Sequence, residues 1–195
     1  RSTADFSGAF DQSRDDFSWL DERRHWFRLH GVPQSGLPNM IDKVLSVAGR
    51  IEVSKLRAAI ARYRRGTRKL PPARILLEFC RQMPDVRVEG NTVISDPPRD
   101  WRQVLAGVER GMVETLKRHG PVMERTAFEE QCIRGGMNRF SFNAIVMCSP
   151  VIEQYGRSVY GLVGQKVNRR TIEKLVSHRG DEPPRRGLKA FGRTR

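Results

Sequence analysis

Cysteine is scarce in this chain, and it lacks the spacing of a metal site or a redox pair. Cys80, Cys132 and Cys148 stand far apart, with no C-x-x-C among them. Each falls within an apolar helical pattern, which reads as a reduced core thiol of an intracellular protein. Histidine is equally sparse: His25, His30, His119 and His178 are dispersed. His25 and His30 are the nearest pair, but their spacing does not put them on one helix face, and no cysteine or carboxylate completes a metal set. There is no glycine-rich phosphate loop, no G-x-S-x-G, no H-E-x-x-H and no nuclease-like cluster of carboxylates and lysine. The expectation is therefore a protein that is not an enzyme and needs no cofactor or metal. No apolar run approaches the roughly 18 residues of a membrane-spanning helix, and no secretory leader is visible. That points to a cytoplasmic, nucleoid-associated protein with no membrane partner. The chain opens on Arg1 rather than Met, as a piece of a longer protein would.

What the sequence has in excess is positive charge. Its 195 residues hold 36 Lys and Arg against 22 acidic residues, a net charge of +14, and the pI is near 10.8. An excess of that size sets up a field that attracts polyanions. It is also unevenly placed. Residues 50–74 carry nine basic residues against Glu52 alone, and residues 165–195 carry ten against Glu173, Asp181 and Glu182. Residues 1–35, by contrast, net −1. Scattered surface charge would not segregate in this way.

Apolar residues make up 38% of the chain, enough for two cores of modest size rather than one deep one. Periodicity shows the same grammar twice. In the first segment an amphipathic helix, Leu37–Ala48, stops at Gly49 and is followed by an extended piece, Ile51–Val53. Ser54 is placed to cap a second helix through Arg65, and a basic turn leads to a third, Pro72–Met83. Alternation around Gly90-Asn91 predicts a β-hairpin.

The second segment follows the same order. Asp100 caps a helix Trp101–Arg118 that stops at Gly120, and Pro121–Met123 is extended. The T-x-x-E of Thr126–Glu129 opens a second helix as a capping box. A third helix covers Asn138–Cys148, and a hairpin turns around Tyr155-Gly156-Arg157. The stop glycines Gly49 and Gly120 lie 71 residues apart.

The predicted fold class is mainly α with small β-hairpins, an α+β arrangement of two tandem winged-helix modules over 36–97 and 98–165. Residues 1–35 form an extension, a short helix plus a strand at Trp26–Leu29, packed on the first module. Its aromatic residues could instead stack bases of a single strand, but the local charge is not basic. Residues 166–195 form a helix capped by Asn168, then a basic tail.

Over Ile41–Ser95 and Val104–Val163 the chain resembles the winged-helix family. Leu45–Arg65 and Gly136–Leu162 are also similar to helix-turn-helix modules of bacterial transcription and genome-associated proteins, including the promoter-binding kind in sigma factors. The resemblance implies contact with nucleic acid, double-stranded DNA above all, through each third helix.

In such modules the third helix lies in the major groove, with phosphates passing beside its leading turn. In the first module that nominates Arg62, Arg64, Arg65, Arg68 and Lys69 before the helix, Arg74 and Arg81 on it, and Asn91 at the hairpin tip. In the second it nominates Asn138, Arg139, Ser141 and Asn143 on the helix, and Arg157 at the tip. Asn138 or Ser141 could equally be occupied in capping that helix. Arg169 and Arg170 open a C-terminal basic arm that could track phosphates. The competing reading is a protein-interaction scaffold in which only one module touches DNA, since the second exposes Met137 and Phe140. RNA binding is weaker still, because no aromatic sheet motif of the usual RNA modules is present.

Overall fold

The computed structural model describes residues 17–30, 36–63 and 70–177. It is a mixed α+β structure of helices and small antiparallel sheets. The chain first makes a hairpin of β1 (Phe17–Asp21) and β2 (Trp26–Leu29), joined through one 3-10 turn at Glu22–Arg24. The strand expected at Trp26–Leu29 is present, the short helix expected before it is reduced to that 3-10 turn, and β1 is an added strand. The reason is packing: Phe17, Trp19 and Phe27 meet edge to face at 5.2 to 5.9 Å on the hairpin, a contact a helix could not make.

Next come α1 (Leu37–Ala48), β3 (Arg50–Glu52), α2 (Val53–Tyr63), α3 (Ala73–Arg81), β4 (Val86–Glu89) and β5 (Thr92–Ser95). The three strands form a sheet in the order β3-β5-β4. After α4 (Trp101–Val104) the same order returns as α5 (Gly107–His119), β6 (Val122–Glu124), α6 (Arg125–Arg134), α7 (Arg139–Val146), β7 (Ile152–Gly156) and β8 (Val159–Leu162). The second sheet is ordered β6-β8-β7, so the topology repeats along with the element order. The last described element is α8 (Arg169–Ser177), which rests on the second sheet with Ile172 against Gly156.

Several boundaries differ from expectation, each for a local reason. α2 begins at Val53, directly from the strand, so Ser54 lies in its first turn rather than at its cap. The helix expected over Trp101–Arg118 is broken. Asp100 caps only α4, accepting from Arg102 N at 3.0 Å, after which Leu105 turns extended into the core and Gly107 takes φ +52°. A left-handed φ is costly for any residue but glycine, so Gly107 is where the chain can re-enter a helix. α6 is capped by Glu124, whose Oε2 accepts from Thr126 N at 2.6 Å and Ala127 N at 3.3 Å. That displaces Thr126 from the cap and frees Glu129 from the capping box. The second hairpin turns at Arg157-Ser158, leaving Tyr155 within β7. Its hydroxyl lies 2.6 Å from the carbonyl of Leu162 and 3.0 Å from that of Gln165.

A single apolar core runs through both repeats, from Ile41, Leu45, Leu56 and Ile60 to Leu105, Met112, Phe128 and Phe142. Polar contacts fasten the same junction. Lys43 Nζ donates to Glu109 Oε2 at 2.5 Å, and Ser149 Oγ donates to Glu109 Oε1 at 2.8 Å, with Glu109 and Ser149 buried. Arg99 pairs with Asp42 on α1. Gly164 comes so near Ala48 that an added Cβ would stand 3.0 Å from the alanine methyl. With apolar surface shared and Glu109 bonded from both repeats, the repeats are packed together rather than strung apart. No helix among the described residues is long and apolar enough to cross a membrane.

Candidate nucleic-acid interface

The two third helices sit in different surroundings. In α3, Ile75, Leu76, Leu77, Phe79 and Cys80 are all buried. One side faces the first repeat's core; the other is overlaid by the β1–β2 hairpin. Gln82, just beyond the helix, locks that hairpin down. Its Oε1 accepts from Ser18 Oγ at 2.6 Å, its Nε2 donates to Trp19 O at 2.9 Å, and its carbonyl accepts from Arg28 at 3.1 Å. Arg28 also stands 5.0 Å over the Phe79 ring.

What α3 leaves outward is one stripe at helical spacing: Arg74, Glu78 and Arg81. Arg81 pairs with Glu78 at 2.7 Å, and Arg74 stands 3.8 Å from Asp21. These are the outward residues expected of this helix, and the hairpin borders their stripe through Asp21 without covering it. Nothing in the α3 pattern announced the hairpin, because a helix buried on two sides by separate elements reads as an ordinary amphipathic one.

Arg62 departs further from its expected place beside the groove. It lies half-buried in the last turn of α2 and faces Glu153 and Tyr155 of β7. Burial pulls its guanidinium below the ordinary arginine value, with Glu153 and Tyr155 opposing that shift. Burial likewise holds the Tyr155 hydroxyl above its usual range. Arg62 therefore lies between the repeats, with its Nε and Nη2 buried and lacking a hydrogen-bond partner among the described residues. Arg64, Arg65, Arg68 and Lys69 lie outside the described residues, as do the basic residues after Ser177. Asn91 is exposed at its hairpin tip beside Gly90 (φ +57°), and its carbonyl accepts from Val53 N at 2.8 Å.

The second repeat presents its third helix openly. Phe142 and Val146 of α7 point inward, the former meeting Phe128 edge to face at 5.2 Å. Arg139, Phe140, Asn143 and Ala144 are exposed, and Ser141 is partly so. Asn138 is the cap: its Oδ1 accepts from Phe140 N at 2.8 Å, which consumes the side chain's acceptor. Arg139 pairs with Glu129 of α6 at 2.9 Å yet remains 72% exposed. Met137 is only partly exposed, because it packs against the core beside Gly111.

One residue that the sequence did not single out ties this surface together. Arg125 opens α6, stands over the Phe142 and Tyr160 rings, and its Nη1 reaches the sulfur of Met147 at 3.9 Å. Its backbone N–H donates to the carbonyl of Ser158 in the hairpin turn at 2.7 Å. Its Nη2 donates to Oδ1 of Asn143 at 2.6 Å, and its Nη1 reaches the Tyr160 hydroxyl at 3.4 Å. The hairpin turn with exposed Arg157, the start of α6 and the face of α7 therefore converge on Arg125. An arginine following a β-strand carries no mark of this in the sequence; the contacts span 18 to 35 positions.

Arg169 and Arg170 are exposed on α8, the former paired with Glu173 at 2.8 Å, and Asn168 caps the helix as expected. Cys80 and Cys132 are buried free thiols, pushed up by burial to about 12 and about 11. Cys148 is instead partly exposed, just past α7, where its thiol donates to Ala144 O. Among the described residues no three His, Cys, Asp or Glu side chains gather to hold a metal ion. Compared with protein-family models, with curated proteins and with solved structures, the chain matches none.

Proposed function

We propose that this chain binds duplex DNA through two winged-helix units, acting by binding rather than catalysis. The second unit reads the groove with α7, and the first contributes mainly backbone contacts. The observation that carries this reading is the convergence of exposed α7, Arg139, Arg125 and the Arg157 turn on one face. A helix flanked by a basic hairpin tip is the arrangement with which a winged helix straddles a groove and its neighbouring phosphates. The +14 charge supplies the attraction.

The two units take unequal parts. With its hairpin in place, α3 has only the Arg74–Glu78–Arg81 stripe to offer, and its cations already have carboxylate neighbours. Such a stripe suits phosphate contact better than base reading.

The test is fluorescence anisotropy of a labelled duplex over a salt series. Engagement of about 4–8 phosphates gives a slope of about −4 to −7 in log affinity against log salt. A flat response overturns the reading. It would favour the scaffold reading, which has its own supporting observation in the 82% exposure of Phe140.

A further inference from the structure

The outward face of α7 is chemically mixed. Phe140, Ala144 and Met147 recur at i, i+4 and i+7, so they share one side of the helix and its continuation. Phe140 is 82% exposed and Met147 38%, a cost in water that a folded core does not impose here, since Phe142 and Val146 already fill the inward side. Arg139 and Arg125 border this apolar strip, so whatever covers it is apolar in the middle and anionic at the edges.

Asn143 lies within the same strip, and its donor pattern is set. Its Oδ1 already accepts the Arg125 hydrogen bond, leaving the amide N–H groups to be offered outward. The two-point contact to adenine would have to use the remaining lone pair of an oxygen already turned toward Arg125, whereas a single donor contact needs no such sharing. In the major groove, cytosine offers a donor, which clashes with another donor. Guanine offers acceptors but no methyl group. Thymine offers an acceptor at O4 directly beside an apolar C5-methyl.

We infer that α7 reads thymine, with Phe140, Ala144 and Met147 packing on C5-methyl groups while Asn143 donates to O4. The inference rests on the DNA-binding reading above and gives its site a base preference. Charge complementarity selects the occupant: an anionic sugar-phosphate rim around methyl-bearing bases matches a cationic rim around an apolar strip.

The test separates this inference from the reading it depends on. Binding is measured to a short A·T duplex and to the same duplex with deoxyuridine in place of thymidine, which deletes the methyl group alone. A matched G·C duplex is compared with its 5-methylcytosine form, which adds a methyl at the same groove position. The wild-type chain is expected to lose roughly threefold to fivefold per methyl contact on the uracil duplex. Phe140→Ala is expected to bind thymine and uracil duplexes more nearly alike. Phe140 is too exposed for its truncation to disturb the fold, which a thermal melt checks.

Salt-dependent binding with no difference between thymine and uracil duplexes overturns the thymine inference and leaves DNA binding standing. Absence of salt-dependent binding to any duplex sinks both. Equal behaviour of wild type and Phe140→Ala on every duplex also overturns it and assigns the apolar strip to a protein partner instead.

Discussion

Arg125 and Asn143 are joined by a 2.6 Å hydrogen bond from the guanidinium Nη2 to the amide Oδ1, across two helices of the second repeat. Because the Arg125 backbone also holds the hairpin turn at Ser158, one residue sets the position of both parts of the proposed interface. Arg125→Ala is expected to keep the fold, since the backbone bond survives, at a cost of about 1 kcal/mol in stability. Its effect falls on discrimination. A panel of duplexes should show affinities drawn closer together, because a released Asn143 can turn its acceptor outward. Unchanged ranking across the panel would deny Arg125 a positioning role.

Arg139 is held by Glu129 at 2.9 Å, so on the proposed reading DNA competes with that carboxylate. An exposed pair of this kind contributes about 0.2–1 kcal/mol. Glu129→Gln should therefore raise duplex affinity by roughly twofold to fivefold. Arg139→Ala should lower affinity, and by more on a preferred sequence than on others. Anisotropy titrations of both variants check this. A Glu129→Gln chain that binds more weakly would show that the pair presents Arg139 rather than restrains it.

The junction between the repeats predicts one cooperative unfolding transition. Lys43→Ala leaves the buried Glu109 carboxylate with Ser149 alone, and breaking such a pair costs about 3 kcal/mol or more. Removing both partners should recover part of that loss, because no uncompensated charge then remains. Chemical denaturation followed by far-ultraviolet circular dichroism measures both variants. Two separated transitions in the wild type would show that the repeats do not share their stability.

The first repeat's core carries a pH signature. Burial pushes the Cys80 thiol from the ordinary 9.0 up to about 12. Below pH 9 folded and unfolded chains both hold the proton, and this contribution to stability is complete. As pH rises from 9 toward 12 the unfolded chain releases the proton while the folded one retains it, so stability falls. The slope is about 1.4 kcal/mol per pH unit. Cys80→Ala should remove that part of the alkaline decline, whatever it costs at neutral pH. Equal alkaline slopes for the two chains would contradict it.

The elements were legible where one local rule governed them. Gly49 and Gly120 stop helices as their placement suggests, Asn168 caps α8, and alternation around Gly90-Asn91 makes the first sheet's hairpin. Caps that depend on a neighbouring strand lie two residues before the positions the sequence suggests, as at Ser54 and Thr126, because the strand delivers the chain already aligned for helix entry.

The candidate site was legible only in part. Residue type and helix position pointed to Arg139, Asn143 and Arg157, all of them exposed. Arg62 was misplaced because its environment comes from Glu153 and Tyr155, some ninety positions away. Packing of residues 1–35 on the first repeat is expected from the sequence, but its seat on α3 is not: the anchor, Gln82, binds residues 63 and 64 positions earlier. Local pattern carries no record of contacts at that range.

The most direct measurement asks whether the α7 face lies against DNA. Phe140 is replaced by photoreactive benzoylphenylalanine, and Leu29 on β2, 50% exposed, carries the same group in a control chain. Irradiation in the presence of duplex DNA should attach the chain labelled at 140 to the duplex, with the adduct disappearing at high salt. The Leu29 chain should yield little. A chain labelled at 140 that still binds duplex but forms no adduct, while the control does, would contradict the account at its centre.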